Sequence, residues 1–171
     1  MLRVVPADLA DAAHADALVT LLDLYAQDPM GGGDGLSDYT RDHLVPRLRD
    51  RANTVIVLAF VDDAPVGLVV CFEGFSTFAA LPLLNVHDIV VAPLYRGQGI
   101  AARMLGLVES IAVGRGCCKL TLEVLESNDA AQAAYQRFGF RPYQLVPELG
   151  SALFWEKKLP IAGGNRHNSS Q

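Results

Sequence analysis

The sequence predicts an α/β fold in which a mixed β-sheet carries helices on both faces. Apolar, β-branched runs alternate with segments whose apolar residues recur at helical spacing, in the order β-α-α-β-β-β-α-β-α-β-β. Two neighbouring runs are separated only by a tight turn, which indicates an antiparallel hairpin, while other runs are separated by helices. A sheet built this way buries both faces by packing helices against each of them.

The first third of the chain predicts one strand and two helices. Leu2 to Val5 is typical of a strand, and either Asp8 or Asp11 can cap a helix that runs to about Tyr25. The next segment, D-P-M-G-G-G-D-G, excludes regular structure. Ser37 then predicts the start of a second helix, although Pro46 interrupts its pattern.

The middle of the chain predicts the hairpin and the central strand. Thr54 to Val61 and Val66 to Phe72 flank the turn sequence D-D-A-P. We expect a loop from Glu73 to Leu84, followed by the central strand from Val86 to Val91. The remaining predicted elements are a helix over Ile100 to Val113 that ends at Gly114 and Gly116, a strand over Leu120 to Leu125, a helix over Asn128 to Phe138 closed by Gly139, and short strands over Phe140 to Tyr143 and Ala152 to Lys157.

Composition limits the kind of protein. A chain of 171 residues with 51% hydrophobic residues predicts one domain, placed at residues 1–160, with a disordered tail over residues 161–171. The net charge of −5 argues against nucleic acid as a partner. No apolar run is long enough to span a membrane, and no signal peptide is recognisable, so we expect no membrane partner and a cytoplasmic location. Three cysteines and scattered histidines predict neither disulfides nor a metal site.

The segment V-H-D-I-V-V-A-P-L-Y-R-G-Q-G-I-A-A, residues 86–102, predicts an anion site. An apolar strand stops at Pro93, a basic turn with two glycines follows, and an apolar-periodic helix begins at Ile100. The first amides of a helix lack internal partners, and the helix dipole favours negative charge there. We therefore expect a pyrophosphate-bearing cofactor to contact Arg96, Gly97, Gln98, Gly99, Ile100, Ala101 and Ala102.

A dinucleotide-binding fingerprint competes for the same turn. Gly97, Gly99 and Ala102 satisfy G-x-G-x-x-A, and Glu123 follows at the distance of a ribose-binding acid. However, the motif follows a hairpin in mid-chain, and too little sequence remains to complete a doubly wound sheet. A P-loop is excluded because no G-K-[ST] follows the glycines.

A second pattern carries a more specific signal. Arg96, Gly99 and Ala101 match R-x-x-G-x-A, and about 30 residues later N-x-x-A-x-x-x-Y-x-x-x-G-F is matched by Asn128, Ala131, Tyr135, Gly139 and Phe140. With these two linked motifs, the chain resembles the GCN5-related N-acetyltransferase (GNAT) superfamily over residues 55–143. The resemblance implies the acyl-CoA N-acyltransferase fold, with a splayed central mixed sheet and helices on both faces, and acetyl-CoA as the cofactor.

The resemblance also implies how the cofactor is held. The pantetheine arm would pair with the backbone of a central strand that is splayed at a bulge, and that backbone belongs here to Ile89, Val90 and Val91. Asn128 would bind the arm or cap its own helix. Tyr135 would bind near the sulfur and protonate the departing thiolate, or pack its ring against the cofactor.

The general base is less defined by the resemblance. Asp88, just before the expected splay, is our first candidate for the base or the substrate anchor. Glu123 and Glu73 are alternatives, and a water chain could replace a dedicated base. His87 is a further alternative, although strand alternation predicts that it points to the face opposite Asp88.

The implied function is the transfer of acetyl from acetyl-CoA to a primary amine of a small molecule or peptide. Transfer would proceed by direct attack in a ternary complex. The expected substrate-binding residues are acidic or aromatic and suit a cationic amine: Asp28, Glu73, Phe75 and Glu123. The alternative is a non-catalytic module that binds or senses acyl-CoA. The last strand could also join two chains as a homodimer.

Overall fold

The computed structural model describes residues 1–28, 32–143 and 153–159. A five-stranded mixed sheet, with helices on both faces, confirms the predicted fold class. The strands are β1 (Leu2–Pro6), β2 (Thr54–Val61), β3 (Ala64–Ser76), β4 (Leu81–Val91) and β5 (Leu120–Leu122). The helices are α1 (Ala12–Gln27), α2 (Asp38–Arg49), α3 (Ile100–Gly114) and α4 (Asp129–Phe138).

The strands lie side by side in chain order, β1-β2-β3-β4-β5. The first three pairings are antiparallel, whereas β4 and β5 are parallel. The parallel pairing joins Leu84–Val86 only to Leu120–Leu122. Beyond Val86, the side of β4 that faces away from β3 therefore has no paired strand among the described residues. The candidate site lies along this edge of β4.

Two layers of helices cover the sheet, each with its own apolar cluster. Leu18 and Leu21 of α1 and Leu48 of α2 pack on one face, which we call the α1 face. Met104 and Val108 of α3 pack on the other, the α3 face, and aromatic residues of the α4 segment pack there as well. Side-chain oxygens cap α1 at Asp11, one of the two residues that the sequence offered, and α2 at the predicted Ser37. No helix of the described residues combines the length and hydropathy needed to cross a membrane.

The predicted loop over Glu73 to Leu84 is wrong. In the structure β3 runs on to Ser76 and β4 begins at Leu81, so that only residues 77–80 turn the chain. The ladder continues in register from the Glu73–Leu84 pair to the Ser76–Leu81 pair. Cross-strand pairing thus extends both strands through the stretch that the sequence analysis assigned to a loop.

The C-terminal strands are also predicted wrongly where the structure describes them. Residues 140–143 and 153–157 form no strand, and Ala152 lies outside the described residues. Likewise β5 ends at Leu122 rather than at Leu125. Alternating apolar residues give a strand only where a neighbour supplies backbone partners, and the described residues of these segments are paired with no strand of the sheet. The residues 161–171 assigned to a tail lie outside the described range.

Candidate active site

A β-bulge interrupts β4 beside its unpaired edge. Val70 of β3 lies opposite Asp88, whereas the next residue, Cys71, lies opposite Val86. His87 is therefore the extra residue on β4, with no partner of its own. A bulge bends its strand and increases the local twist. It lies immediately after the last residue of β4 that pairs with β5, so the two strands separate at this point.

The bulge overturns the prediction that His87 and Asp88 face opposite sides of the sheet. Asp88 lies opposite Val70, which belongs to the cluster on the α1 face. The His87 ring contacts the Phe72 ring edge-on at 5.3 Å between centroids, and Phe72 packs against the same cluster. Simple alternation fails because the extra residue adds one step along the strand. Both side chains therefore face α1.

Asp88 is a half-buried carboxyl among apolar neighbours. Burial raises its pKa above the ordinary aspartate value, and the neighbouring His87 partly opposes that rise. A carboxylate with a raised pKa is a better proton acceptor at neutral pH than an exposed one. Asp88 is therefore suited to the predicted role of general base. His87 lies beside it on the same face of the sheet.

The turn between β4 and α3 exposes a row of backbone amides. Gly97 and Gly99 have φ angles of 77° and 76°, which side chains rarely adopt, and Gly99 is the N-cap of α3. Within the described chain, none of the amides of residues 97–102 donates a hydrogen bond to a protein group. A Cβ built at either glycine meets no atom within 4 Å, so the space over the turn is open.

Arg96 and Asp28 join this turn to the end of α1. The Arg96 Nε donates to the Val91 carbonyl oxygen at 3.1 Å, and its Nη2 donates to the Asp28 carboxylate at 3.1 Å. Asp28 is the C-cap residue of α1. In this structure the Arg96 charge is therefore balanced by Asp28, a residue that we expected to bind substrate. The pair joins the turn between β4 and α3 to the C-terminal end of α1.

Asn128 and Tyr135 lie at the start and in the body of α4. The Asn128 side chain accepts a hydrogen bond from the Ala131 amide at 3.2 Å and so caps the helix. Tyr135 packs in the cluster on the α3 face, edge-on to Phe140. Burial raises the pKa of Tyr135 to about 12, with a smaller contribution from Tyr25. Its hydroxyl is therefore protonated at neutral pH, as a general acid must be.

Tyr25, which the sequence analysis named only as the approximate end of the first helix, is a further ionisable residue of this region. It packs against the cluster on the α1 face. Burial raises its pKa, and the carboxylates of Asp88 and Asp28 raise it further, so all three groups lie within electrostatic range. The sequence signal that could have identified Tyr25 is its place in the last turn of a helix whose other contacts are aliphatic.

Two other predicted residues, Glu73 and Phe75, have different surroundings. Glu73 accepts a hydrogen bond from Arg115 Nη1 at 3.0 Å, and it lies opposite Leu84, on the α3 face. Phe75 follows on the same strand face and is 62% exposed. The structure therefore brings neither of them to the side of the sheet that carries Asp88.

Glu123 lies just beyond β5. Asn85 Nδ2 donates to both of its carboxylate oxygens at 3.3 Å. Asn85 lies opposite Phe72 and thus on the α1 face, two residues before the bulge. Of the alternatives to Asp88, Glu123 is the one that the structure places beside the splayed end of β4.

A comparison with models of known protein families finds one that matches this chain. The model for the acetyltransferase (GNAT) family matches residues 18–140, which is most of the chain. The chain therefore belongs to the GNAT family of acetyltransferases.

Individual relatives give a more detailed picture. The thialysine N-epsilon-acetyltransferase of Bos taurus is 35% identical over 74 residues, and that of Sus scrofa is 39% identical over 76 residues. These matches cover 43% and 44% of this chain, and the same shares of those two proteins. This chain thus matches less than half the length of these curated relatives.

Solved structures share the fold over nearly the whole chain. A probable acetyltransferase is 28% identical with a TM-score of 0.73, and the match covers 94% of this chain and 98% of that one. An aminoglycoside acetyltransferase from an uncultured soil metagenomic sample has a TM-score of 0.74 at 16% identity, covering 92% and 97%. AAC(6')-Iy, solved in complex with the bisubstrate analog CoA-S-monomethyl-acetylneamine, has a TM-score of 0.72 at 16% identity, and the match covers 93% of this chain and 99% of that one.

The environment of Asp88 predicts a measurable effect of pH on stability. Because burial raises the pKa of Asp88, its ionised form destabilises the folded state at neutral pH. The variant Asp88→Asn should therefore unfold at a higher temperature than the wild type at pH 7. The difference should disappear below the ordinary aspartate pKa of about 4, where the carboxyl is protonated in both states.

Thermal unfolding followed by circular dichroism between pH 3 and pH 8 measures this difference. Asp42→Asn, at an exposed position on α2, is the matched control and should show no such pH-dependent gain. A wild type that is more stable than Asp88→Asn at pH 7 would show that the carboxylate is stabilised by partners rather than penalised by burial.

Proposed function

We propose that this chain transfers the acetyl group of acetyl-CoA to a primary amine of a small molecule, by direct attack in a ternary complex. One observation carries the proposal: among the described residues, the edge of β4 that has no paired strand leads directly into the amides of residues 97–102, which have no hydrogen-bond partner. The first feature can take up an extended amide chain and the second an anion. Coenzyme A contains both, a pantetheine arm and a diphosphate.

The diphosphate would lie on the amides at the start of α3. A helix N-terminus favours phosphate through its free N–H groups and its dipole. The open space over Gly97 and Gly99 lets the backbone come close to such a group. Arg96, held between Val91 and Asp28, would keep the turn in place beside the diphosphate.

The pantetheine arm would pair with the backbone of Ile89, Val90 and Val91 as an added strand. The bulge at His87 separates β4 from β5 and thereby frees these backbone groups. An amide freed beside the bulge would also donate to the thioester carbonyl oxygen and stabilise the negative charge that develops there during attack.

The acid–base groups lie on the two sides of this edge. Asp88 would accept a proton from the acceptor amine, with His87 on the same face as a second group able to do so. Tyr135, whose pKa of about 12 keeps it protonated, would donate a proton to the departing sulfur. Asn128 would orient the arm through the part of its side chain that does not cap α4.

A small cationic amine is the acceptor class that the surroundings support. The half-buried carboxyl of Asp88 and the Glu123 carboxylate lie on the acceptor side, while the Arg96 charge is balanced by Asp28. The names of the related proteins point the same way, since thialysine and aminoglycosides are amines.

A screen of amines tests the proposal directly. The protein is incubated with acetyl-CoA and with amino acids, polyamines, aminoglycosides or short peptides, and the released thiol of CoA is measured. We expect turnover with at least one small amine, and stabilisation by CoA but not by NAD in a thermal-shift assay. Stabilisation by NAD alone would instead support a dinucleotide-binding protein.

The variant Tyr135→Phe separates an enzyme from a module that only binds acyl-CoA. Removing the hydroxyl should lower kcat by about 100-fold, the lower range for loss of a general acid, because the thiolate then leaves unprotonated. Binding of CoA, measured by calorimetry, should remain within about twofold of the wild type, which corresponds to a change of about RT ln 2 in the binding free energy. Unchanged turnover in the variant would remove Tyr135 from the chemistry.

A further inference from the structure

Arg51 is a cation on the α1 face of the sheet, and it pairs with no acid of the described chain. It lies between α2 and β2, where its amide donates to the Leu48 carbonyl oxygen at 3.1 Å and its carbonyl oxygen accepts from the Thr54 amide at 3.3 Å. Its guanidinium lies over the Phe72 ring, 5.9 Å from the centroid, and makes no hydrogen bond to a described residue. The backbone and the aromatic ring thus hold Arg51 in place, while its N–H donors are left for a ligand.

The Phe72 ring connects Arg51 to the bulge of β4. The same ring contacts the ring of His87 edge-on, at 5.3 Å between centroids, and Phe72 packs against the cluster on the α1 face. Asp88 follows His87 and faces the same side, and the Glu123 carboxylate lies beside it at the end of β5. One face of the sheet therefore has a positive charge at its β2 side and carboxylates at its β4 side, with an aromatic ring between them.

A pocket of about 220 Å³ beside Arg51 has the charge and the room for a small anionic group. Two arginines, Arg49 and Arg51, line it together with one acid, Asp8, whose carboxylate accepts a hydrogen bond from the Ala10 amide at 2.9 Å. Thr54 lines the pocket as well, and its hydroxyl is buried without a hydrogen-bond partner among the described residues. Buried polar groups normally have such a partner. This corner therefore combines net positive charge with a hydroxyl that the described protein groups leave unused.

We propose that the acceptor is an amine with a carboxylate at its other end, and that Arg51 binds this carboxylate while the amine lies at Asp88. This inference rests on the proposed acetyl transfer and narrows its acceptor class. A guanidinium matches a carboxylate in planar, bidentate geometry, and a guanidinium that stacks on an aromatic ring is already oriented for such a contact. Arg51 is thus a specificity-determining residue, which acts on substrate binding and takes no part in proton transfer.

The separation of the two charges sets the length of the acceptor. The molecule must cross the Phe72 ring, whose contacts measure 5.9 Å to the Arg51 guanidinium and 5.3 Å to the His87 ring. In 6-aminohexanoate six bonds join the nitrogen to the carboxyl carbon, which spans about 7.5 Å when the chain is extended. Hydrogen bonds of about 2.9 Å at each end complete the distance. The chain of 3-aminopropanoate is half as long, so it cannot engage Arg51 and Asp88 at once.

Acetylation of matched acceptors tests the proposal. For the wild type, kcat/KM for 6-aminohexanoate should exceed that for the neutral 6-aminohexanamide by about tenfold or more, mainly through KM, because the charged group adds a charge-assisted hydrogen bond. The pair 3-aminopropanoate and 3-aminopropanamide should show no such preference. In Arg51→Gln the preference for 6-aminohexanoate should fall to about one, while kcat/KM for the amide and KM for acetyl-CoA stay within about twofold.

Two further variants sharpen the test. Arg51→Glu should reverse the preference, so that 1,6-diaminohexane becomes a better acceptor than 6-aminohexanoate. Arg47→Gln is the matched control, since Arg47 also lies over an aromatic ring, 5.4 Å from the centroid of Tyr39, but already donates to the Tyr39 hydroxyl at 2.7 Å. This control should keep the wild-type preference.

The outcomes separate this inference from the proposed function. A wild type that acetylates amines in the screen but does not prefer 6-aminohexanoate over its amide refutes the role of Arg51, while acetyl transfer stands. A preference that persists in Arg51→Gln refutes it as well. A wild type that acetylates no amine at all refutes both proposals.

Discussion

The unpaired edge of β4 is the constraint on which the rest of the site depends. It exists because β5 pairs with β4 over only three positions and because an extra residue, His87, bends β4 at the point where that pairing ends. A continuous ladder would satisfy the backbone of Ile89 to Val91 internally and leave nothing for a ligand to pair with. One inserted residue thus opens a gap between two strands that would otherwise remain adjacent.

That gap also brings together residues from layers that a closed sheet would separate. Tyr25 belongs to the α1 layer and Tyr135 to the α3 layer, yet Tyr25 contributes to the raised pKa of Tyr135. The Arg96–Asp28 ion pair also joins the two layers, because it connects the end of α1 to the turn that precedes α3. The site is therefore held by contacts across the sheet edge rather than by one helix or one loop.

The sequence predicts the parts of this arrangement that depend on local rules. The glycines of the turn after β4, the caps at Asp11 and Ser37 and the hairpin from Thr54 all follow from short patterns, and the structure has them. A bulge has no comparable local signature, so the alternation rule assigned His87 to the wrong face. The pairing of Asp28 with Arg96 joins residues 68 positions apart, and spacing along the chain cannot reveal it.

The most direct measurement follows the backbone amides during titration with coenzyme A. In a nitrogen–proton NMR spectrum, the account predicts that the resonances of residues 97–102 and of Ile89 to Val91 shift together with one dissociation constant. Amides of the β1–β2 ladder, at the opposite edge of the sheet, should stay in place. Saturable binding that shifts other amides and leaves both segments unchanged would contradict the account, because the ligand would then lie away from the edge of β4.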